Sequence, residues 1–247
     1  MVGAMNPVTS KRLDIKKMSG QFPEDVRLII GAGHFGKRAA SILRETSGSP
    51  ILIVDRSADR LAQVKDLPVE KIVCDGVGFL VENFQLLNPS CVIVPAIPVH
   101  VAAEWLRYYL EKLGRRVQLR EIPDDIIPTL PYVWHGLGET LLVSYADFIC
   151  PDDCPEPSDH CLMTGEKRDL PLYELLSRID IPDHATHVIK SRQLAPGLGG
   201  FMVQDLRNLL LRTTRREGNW LVGTACRCHG ALTALEICAS RLEGRHA

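Results

Sequence analysis

The sequence predicts an α/β fold, with a doubly wound parallel sheet followed by a smaller α+β domain that contains clustered cysteines. Three observations predict it. Short apolar runs alternate with helical stretches in the first half of the chain, a pattern typical of βαβ units. A glycine-rich turn joins the first apolar run to the first helical stretch. The second half carries five of the eight cysteines in two tight groups.

The strands predicted in the first half share one character. Each is a short apolar or β-branched run bounded by turn residues, as expected for strands buried on both faces of a sheet. They are residues 26–30, 51–54, 71–74, 91–94 and 117–120. Between them, helical spacing of apolar residues predicts helices over 35–43, 58–64 and 101–113, the last ending at Gly114.

The second half predicts a mixed set of elements. In chain order they are a strand at 140–145, a helix at 172–179, a strand at 187–191, a helix at 201–212, a strand at 220–224 and a last helix at 231–241. A glycine loop at 196–200 precedes the helix at 201–212. Its free N–H groups could bind an anion, but no basic residue lies within it, and a flexible turn is the favoured interpretation.

Three segments follow from this pattern. We expect a leader over 1–22, with Met5 and Met18 as alternative starts, a dinucleotide-binding domain over 23–122 and an α+β domain over 123–247. The second boundary is placed at residues 121–131, because three prolines and two aspartates there are typical of a connector rather than of a helix or central strand.

The composition is that of an ordinary globular protein. The chain has 247 residues, 45% of them hydrophobic, and 29 Lys and Arg against 30 Asp and Glu. The formal net charge of -1 disfavours sequence-independent nucleic-acid binding, which depends on neutralising phosphates. No run approaches the roughly 20 apolar residues of a membrane-spanning helix. The polar N-terminus has no signal-peptide pattern, so we expect a cytoplasmic protein without membrane insertion.

The turn after the first predicted strand has the sequence Gly-Ala-Gly-His-Phe-Gly, residues 31–36. Glycines permit a tight turn and a close approach of the backbone, and the helix that follows directs its N-terminus at a pyrophosphate. We therefore expect a dinucleotide to contact Gly31, Gly33, His34, Phe35 and Gly36. The alternative is a glycine turn that binds no ligand.

Asp55 ends the second predicted strand, 19 residues after Gly36. A carboxylate at this place accepts hydrogen bonds from the ribose hydroxyls of the adenosine. It favours NAD over NADP, because it repels a 2′-phosphate. Arg56 is the next residue and could pair with that phosphate instead, so NADP remains an alternative.

Residues 26–113, about a third of the chain, resemble the TrkA-N (RCK-type) NAD-binding domain and also the N-terminal Rossmann domain of saccharopine-dehydrogenase-like proteins. The shared features are the glycine turn, the strand with an acidic end, and the Val-Cys-Asp-Gly sequence at 73–76. The resemblance implies a parallel-sheet Rossmann domain with Asp75 near the adenine end of the cofactor. It implies that residues 95–100 border the nicotinamide ribose, although a proline-stiffened turn is an equal alternative. The regulatory or catalytic domains of these families are not recognisable in the second half.

The first cysteine group is Cys150, Cys154 and Cys161, spaced C-x3-C-x6-C on a polar segment without periodicity. Thiolates are soft ligands for zinc, copper(I) or iron–sulfur clusters, and we expect a metal here. A reversible thiol pair and the absence of any role are the alternatives. His160 is a candidate fourth ligand, although its position beside Cys161 could misplace it.

The second group is Cys226 and Cys228, a C-x-C pair at a predicted strand–helix junction. The helix dipole and Arg227 would favour thiolate at this place. The pair could complete the metal site, act as a redox dithiol or supply a nucleophile. His229, the next residue, is either a metal ligand or a capping residue, and the sequence favours neither. The other three cysteines, at 74, 91 and 238, are expected to behave as small core residues.

Two functions fit these motifs. The first is a redox protein, an oxidoreductase or electron carrier, that binds NAD or NADP beside a cysteine-ligated iron–sulfur or zinc centre. No motif identifies its general acid or base. The candidates by residue type alone are His100, His135 and His229. The second, which the TrkA-N resemblance implies, is a non-enzymatic regulator that senses nucleotide or redox state, with a cation transporter as its expected partner and with structural zinc. Both functions require a bound dinucleotide. A second copy of the chain, a transporter or a redox protein is the expected protein partner. The C-terminal unit could also be a structural zinc domain with no chemistry.

Overall fold

The computed structural model of the chain describes residues 22–238, which form twelve strands and six α-helices. The strands are β1 (Arg27–Ile30), β2 (Ile51–Asp55), β3 (Glu70–Val73), β4 (Val92–Pro95), β5 (Arg116–Arg120), β6 (Tyr132–His135), β7 (Thr140–Ser144), β8 (His184–Lys190), β9 (Arg192–Ala195), β10 (Leu198–Met202), β11 (Gly218–Ala225) and β12 (His229–Cys238). The helices are α1 (His34–Thr46), α2 (Ala58–Ala62), α3 (Gly76–Asn83), α4 (Val101–Lys112), α5 (Leu172–Ser177) and α6 (Val203–Arg215). Two 3-10 turns lie at Phe84–Leu86 and Asp124–Thr129.

The first sheet has the strand order β3-β2-β1-β4-β10-β9. Its first four strands are parallel. Strand β10 pairs antiparallel with β4, and β9 pairs antiparallel with β10. Alternate residues of β1 enter different clusters: Leu28 and Ile30 pack with α3 and α4, whereas Ile29 packs with α1 and α2. Helices therefore cover both faces, and the predicted parallel, doubly wound α/β arrangement is confirmed for this half.

The second sheet is built around β12, the longest strand. It pairs with β11 along one side over eight residues, and with β7 and then β5 along the other. Strand β6 extends the sheet beyond β7, and β8 runs parallel to β11. Helices α4 and α6 connect the two sheets, because Trp105 and Leu206 belong to the same buried cluster as Trp220 of β11 and Leu235 of β12.

Strand membership corrects two predictions. Residues 117–120 were expected in the parallel sheet, but β5 pairs antiparallel with β12 in the second sheet. The glycine loop at 196–200 was expected to open a helix, but it forms the turn of the β9–β10 hairpin and most of β10. Each sheet thus contains strands from both sides of residue 122. The predicted division at that residue remains a prediction.

The predicted last helix is also wrong, because residues 229–238 form β12. Alanine, leucine and glutamate in this segment favour a helix when taken alone. In the folded chain the segment lies between β11 on one side and β5 and β7 on the other, and its backbone hydrogen bonds are made to them. Tertiary pairing therefore overrides local propensity.

Two other expectations concern the ends of the chain and the membrane. Almost all of the predicted leader, and residues 239–241 of the predicted last helix, lie outside the described residues. Within residues 22–238, no helix has both the length and the apolar character that crossing a bilayer requires.

Candidate functional site

The glycine turn after β1 is closely packed at two positions and open at a third. Gly31 has a φ of +103°, and a Cβ there would lie 2.5 Å from the Ala96 carbonyl oxygen. A Cβ on Gly36 would lie 1.9 Å from the Gly31 carbonyl oxygen. A Cβ on Gly33 would meet no atom within 4 Å. Gly31 and Gly36 therefore make the turn, and Gly33 leaves open space at the N-terminus of α1.

The first turn of α1 is open to an anion. Gly33 is the N-cap residue and supplies no side-chain acceptor, and the first turn contains no acidic residue. The first N–H groups of a helix have no partner within it and carry the positive end of its dipole. Binding of a phosphate at residues 31–36 remains a prediction, with which this N-terminus is compatible.

Asp55 connects β2 to this turn. Its Oδ2 accepts the N–H of Ala32 at 2.7 Å and its Oδ1 accepts the N–H of Ser57 at 2.8 Å, and the residue is only 6% exposed. Each carboxylate oxygen can accept a second hydrogen bond. Asp55 thus supports the turn and keeps acceptor capacity for a ribose, the role that the sequence predicted and that no observation yet tests.

Arg56 and Asp75 form an ion pair beside the ends of β2 and β3. Arg56 Nε donates to Asp75 Oδ2 at 2.7 Å, and Asp75 Oδ1 caps α3 by accepting the N–H of Gly78 at 2.6 Å. The Arg56 side chain is 80% exposed. Asp75 therefore already offsets the positive charge of Arg56, with which a 2′-phosphate would pair.

A cavity of about 560 Å³ lies between the carboxyl edge of the first sheet and the second sheet. One wall comes from the Rossmann half, with Phe35 of the glycine turn and the loop from Pro95 to His100. The lining also contains all five predicted metal-ligating cysteines, which are Cys150, Cys154, Cys161, Cys226 and Cys228. The structure therefore brings the two cysteine groups to one cavity that the Rossmann half also lines. Gly31, Gly33, Asp55, Arg56 and Asp75 lie outside this cavity.

The segment from Cys150 to Cys154, here called the cysteine loop, contacts the glycine turn directly. Asp152 Oδ2 lies 3.0 Å from Nε2 of His34, the first residue of α1. The β9–β10 turn holds the other side of the loop, since the Gly197 N–H donates to the Cys154 carbonyl at 2.7 Å. Gly197 has a φ of +67°, and a Cβ on it would lie 1.6 Å from the Asp152 carbonyl oxygen.

Cys161 lies in a turn that stabilises a thiolate. The turn closes with the Gly165 N–H on the Cys161 carbonyl at 2.7 Å. Burial raises the pKa of the Cys161 thiol, but hydrogen bonds from Thr164 and from the Met163 amide outweigh it and lower the pKa below its usual value. His160, weighed as a ligand, pairs instead with Asp159 at 2.9 Å and does not line the cavity.

Cys226 and Cys228 lie in the turn of the β11–β12 hairpin, so the predicted helix dipole is wrong as a source of thiolate stabilisation. The Cys226 sulfur accepts the N–H groups of Cys228 and His229 at 3.4 and 3.3 Å. Burial and the Glu156 carboxylate nevertheless raise the pKa of Cys226 to about 12. Burial raises the pKa of Cys228 to about 11, against the opposing charge of Arg168.

Glu156 and Arg168 are site residues that sequence analysis missed. The Glu156 carboxylate accepts the Arg227 N–H at 2.5 Å, and the Arg168 guanidinium donates to Cys228 Sγ. Both line the cavity. A charged residue between or just after the cysteines of a polar loop is the signal that could have identified them.

The three histidines named by residue type lie in different places. His229 faces the cysteines, with Nε2 3.4 Å from Cys150 Sγ and Nδ1 3.9 Å from Cys226 Sγ. His135 lines a smaller adjoining cavity. His100 lines both cavities and is 5% exposed.

Within residues 22–238, no three His, Cys, Asp or Glu side chains already stand in an arrangement that could hold a metal ion. The five cysteines line one cavity, but no three of them surround a position that a metal ion could occupy. The predicted metal site is therefore not confirmed by the arrangement of these side chains.

Two family models match the chain. The TrkA-N domain model matches residues 27–78, which confirms the resemblance predicted for the N-terminal part. A second family model, described as "Uncharacterized protein, C-terminal domain", matches residues 102–238 and thus begins inside α4.

Two individual proteins are also similar to the chain. A solved structure described as a candidate methyltransferase from Thermoplasma acidophilum is 15% identical, with 50% of this chain and 66% of that chain covered, and its TM-score of 0.27 is too low to support an argument. An uncharacterized protein of Archaeoglobus fulgidus is 34% identical over 223 residues, which are 85% of this chain and 98% of that protein. The chain belongs to the family that is defined by this C-terminal domain, and it is related over most of its length to the A. fulgidus protein.

Proposed function

We propose that the protein is a cytoplasmic NAD-binding redox protein whose nucleotide lies across the carboxyl edge of the first sheet, with its nicotinamide end facing a cysteine-ligated metal centre. One observation carries this proposal. The cysteine loop contacts the first residue of α1 through Asp152 and His34, and it shares a cavity with Phe35 of the glycine turn. Ligands of open α/β sheets bind outside the carboxyl ends of the strands, where the strand order reverses, which here is between β1 and β4.

The dinucleotide part is supported by the TrkA-N match and by the open N-terminus of α1. The adenosine ribose would lie at Asp55, whose oxygens keep free lone pairs. NAD is favoured over NADP for two reasons. Asp55 would repel a 2′-phosphate, and Asp75 already pairs with Arg56, the cation that follows Asp55 in the sequence.

The donor set fits a soft metal. Five thiols line one cavity, and the turn at Cys161 favours thiolate, the form that binds metals. A metal site rarely exists fully formed without its ion, because the ligands lose protons and close on the metal as it binds. Zinc would supply a structural or Lewis-acid centre and an iron–sulfur cluster would supply one-electron redox chemistry. The chain's part is to hold the sulfurs, exclude water with the apolar wall and place the centre beside the nucleotide.

Gly33→Asp is expected to reduce NADH affinity at least about tenfold, or about 1.4 kcal/mol. A Cβ at this position meets no atom within 4 Å, and the backbone is extended, with φ −70°. Aspartate is also a good N-cap, so it would occupy the N–H groups that the pyrophosphate needs while leaving the fold intact. The measurement is calorimetric titration with NADH together with the melting temperature.

Gly48→Asp is the matched control for this substitution. Gly48 is exposed, lies between α1 and β2, and also has no atom within 4 Å of its Cβ position. We expect it to keep the NADH affinity of the unchanged chain. Equal NADH affinity in the two variants, or no saturable binding to the unchanged chain, would contradict the proposed nucleotide site.

The TrkA-N match favours a second candidate, a non-enzymatic regulator that senses nucleotide or redox state. In that case the cysteines hold structural zinc, and the partner is a cation transporter or a second copy of the chain. Turnover of NADH with any acceptor distinguishes the two, because a regulator binds the nucleotide without consuming it.

A further inference from the structure

His100 lies at the N-terminus of α4 and has a hydroxyl group beside each of its ring nitrogens. Nδ1 lies 2.9 Å from Thr233 Oγ1, and Nε2 lies 3.0 Å from Thr224 Oγ1. Thr140 Oγ1 lies 3.0 Å from Thr233 Oγ1. The four side chains therefore form an unbroken row of hydrogen bonds in the order Thr140, Thr233, His100 and Thr224, which is here called the threonine–histidine row.

This row lies on a face of the second sheet that is otherwise apolar where it is buried. Thr233 of β12 has Val222 of β11 opposite it on one side and Thr140 of β7 on the other. Further along the same face the side chains belong to the apolar core and are Trp220, Val222, Leu235 and Ile237. A buried hydroxyl or imidazole is unfavourable there unless it is hydrogen-bonded. Valine would fill the threonine positions without that requirement, so packing alone does not account for the row.

The two ends of the row reach different cavities. Thr224 is half-buried and lines the larger cavity, which Phe35 of the glycine turn also lines. Thr140 lines the smaller cavity together with His135 and Leu137, whose side chains are exposed. The row thus connects the cavity proposed to hold the nicotinamide end of NAD with a cavity that solvent can enter.

The groups of the row can pass a proton from one end to the other. A hydroxyl both donates and accepts, and a neutral imidazole donates with one nitrogen and accepts with the other. Burial lowers the pKa of His100 to about 4, so the ring is neutral at pH 7. All the hydrogen bonds can therefore run in either of two directions, and the passage of one proton converts one direction into the other.

We propose that the threonine–histidine row is a proton relay for the reduction of an aldehyde or ketone in the larger cavity. The carbonyl carbon gains a hydride from NADH, the π electrons of the C=O bond move to oxygen, and the oxygen takes the Thr224 hydroxyl proton. The apolar side chains that share this lining favour an apolar substituent on the carbonyl, and they include Ile97, Val99, Leu142 and Phe201. This inference rests on the proposed function in taking NADH as the hydride donor, and it requires no metal.

The remaining protons move along the row. Thr224 takes the proton of His100 Nε2, Nδ1 takes that of Thr233, and Thr233 takes that of Thr140, which water in the smaller cavity renews. After the alcohol has left, water in the larger cavity returns one proton along the same row and restores the first direction. Each cycle therefore consumes one NADH, one carbonyl group and one proton from solvent.

The position of the ring proton of His100 tests the relay without any substrate. Nitrogen NMR of the labelled histidine rings reports which nitrogen carries the proton, and His100→Gln identifies the signals. We expect Thr224→Val to keep the proton on Nδ1, where Thr233 accepts it, and Thr233→Val to keep it on Nε2, where Thr224 accepts it. The unchanged chain should exchange it between both nitrogens. A proton on the same nitrogen in all three proteins would overturn the relay, because it could not cross the ring.

Turnover tests what the relay does. The oxidation of NADH is followed with benzaldehyde, acetophenone and cyclohexanone, and NADH affinity is measured on the same preparations. We expect Thr224→Val and Thr233→Val to lower kcat at least about 100-fold, the range of a lost general acid or base, and to keep the NADH affinity of the unchanged chain. Thr224→Ser and Thr233→Ser keep the hydroxyl and should recover most of the loss.

Thr213→Val is the matched control. Thr213 is fully buried in α6, and its hydroxyl donates to the Leu209 carbonyl at 3.0 Å, so the variant loses a buried hydroxyl outside the row. We expect it to turn over at the rate of the unchanged chain.

Three results would overturn the relay and leave the nucleotide site standing. They are NADH binding without turnover of any of the three carbonyl compounds, equal rates in Thr213→Val and the two valine variants of the row, and equal loss in the valine and serine variants, which would indicate packing. A chain that binds no NADH contradicts the proposed function instead, and the hydride donor of this step falls with it.

Discussion

Gly197→Ala is expected to displace the cysteine loop and remove tight metal binding. Gly197 has a φ of +67°, where an L-residue costs about 1–2 kcal/mol. The added methyl would also lie 1.6 Å from the Asp152 carbonyl oxygen, which is backbone and cannot turn away. The loop must therefore move, and the hydrogen bond from the Gly197 N–H to the Cys154 carbonyl is lost with it. The measurements are the metal per chain and the melting temperature.

Gly138→Ala is the control for this substitution. It imposes the same left-handed backbone cost as Gly197→Ala but displaces no neighbouring loop. Gly138 lies between β6 and β7, has a φ of +64°, and has no atom within 4 Å of its Cβ position. We expect it to lower the melting temperature by a few degrees and to leave metal content unchanged. If Gly197→Ala retained metal as Gly138→Ala does, the β9–β10 turn would not be what holds the cysteine loop.

His100 is expected to make the protein lose stability as the pH falls below 6.5. Its ring nitrogens lie 2.9 Å from Thr233 Oγ1 and 3.0 Å from Thr224 Oγ1, and burial lowers its pKa to about 4. Between pH 6.5 and 4 the unfolded chain binds a proton that the folded chain does not, so stability is fully present above 6.5 and falls as the pH drops towards 4. The expected loss between pH 7 and pH 5 is about 2 kcal/mol.

His100→Gln removes this titration and keeps a polar side chain. The free energy of unfolding of both proteins is measured in urea at pH 7 and pH 5. The unchanged chain should lose about 2 kcal/mol more than the variant. Burial also lowers the pKa of His187 to about 4, but both proteins contain His187, so its contribution cancels in the difference. An equal loss in both proteins would show that His100 is not held neutral by its surroundings.

The first half of the fold could be predicted because its signals are local. Strands β1, β2 and β4 are mostly apolar runs that end at turn residues. Asp55 ends β2 at the distance from the glycine turn that the nucleotide motif requires. The tight contacts of Gly31 and Gly36 explain why glycine is found there. Local sequence therefore fixes both the turn and the strands beside it.

The second half could not be predicted in the same way, because its strands are defined by partners far away in sequence. Residues 229–238 have the composition of a helix but pair with three strands, one of which starts at Arg116. Leu198–Met202 contains two glycines and reads as a loop, yet it pairs with β4 of the first sheet. Neither pairing leaves a periodic signal in the segment itself.

The site shows the same division. The five cysteines could be identified from their spacing, and they do line one cavity. The contact between Asp152 and His34, 118 residues apart, and the opposite charges of Glu156 and Arg168 beside Cys226 and Cys228 depend on tertiary structure. The contact between Asp152 and His34 carries the proposed function.

Titration of the cobalt(II)-loaded protein with NAD⁺ tests most directly whether nucleotide and metal share one crevice. Cobalt(II) replaces zinc in thiolate sites, and its visible bands respond to changes around the ligands. NAD⁺ transfers no electrons to cobalt(II), so a spectral change would report proximity rather than reduction. We predict a saturable change in the cobalt–thiolate bands that is absent in Gly33→Asp. Saturable NAD⁺ binding by calorimetry with an unchanged cobalt spectrum would place the two sites apart and contradict the account.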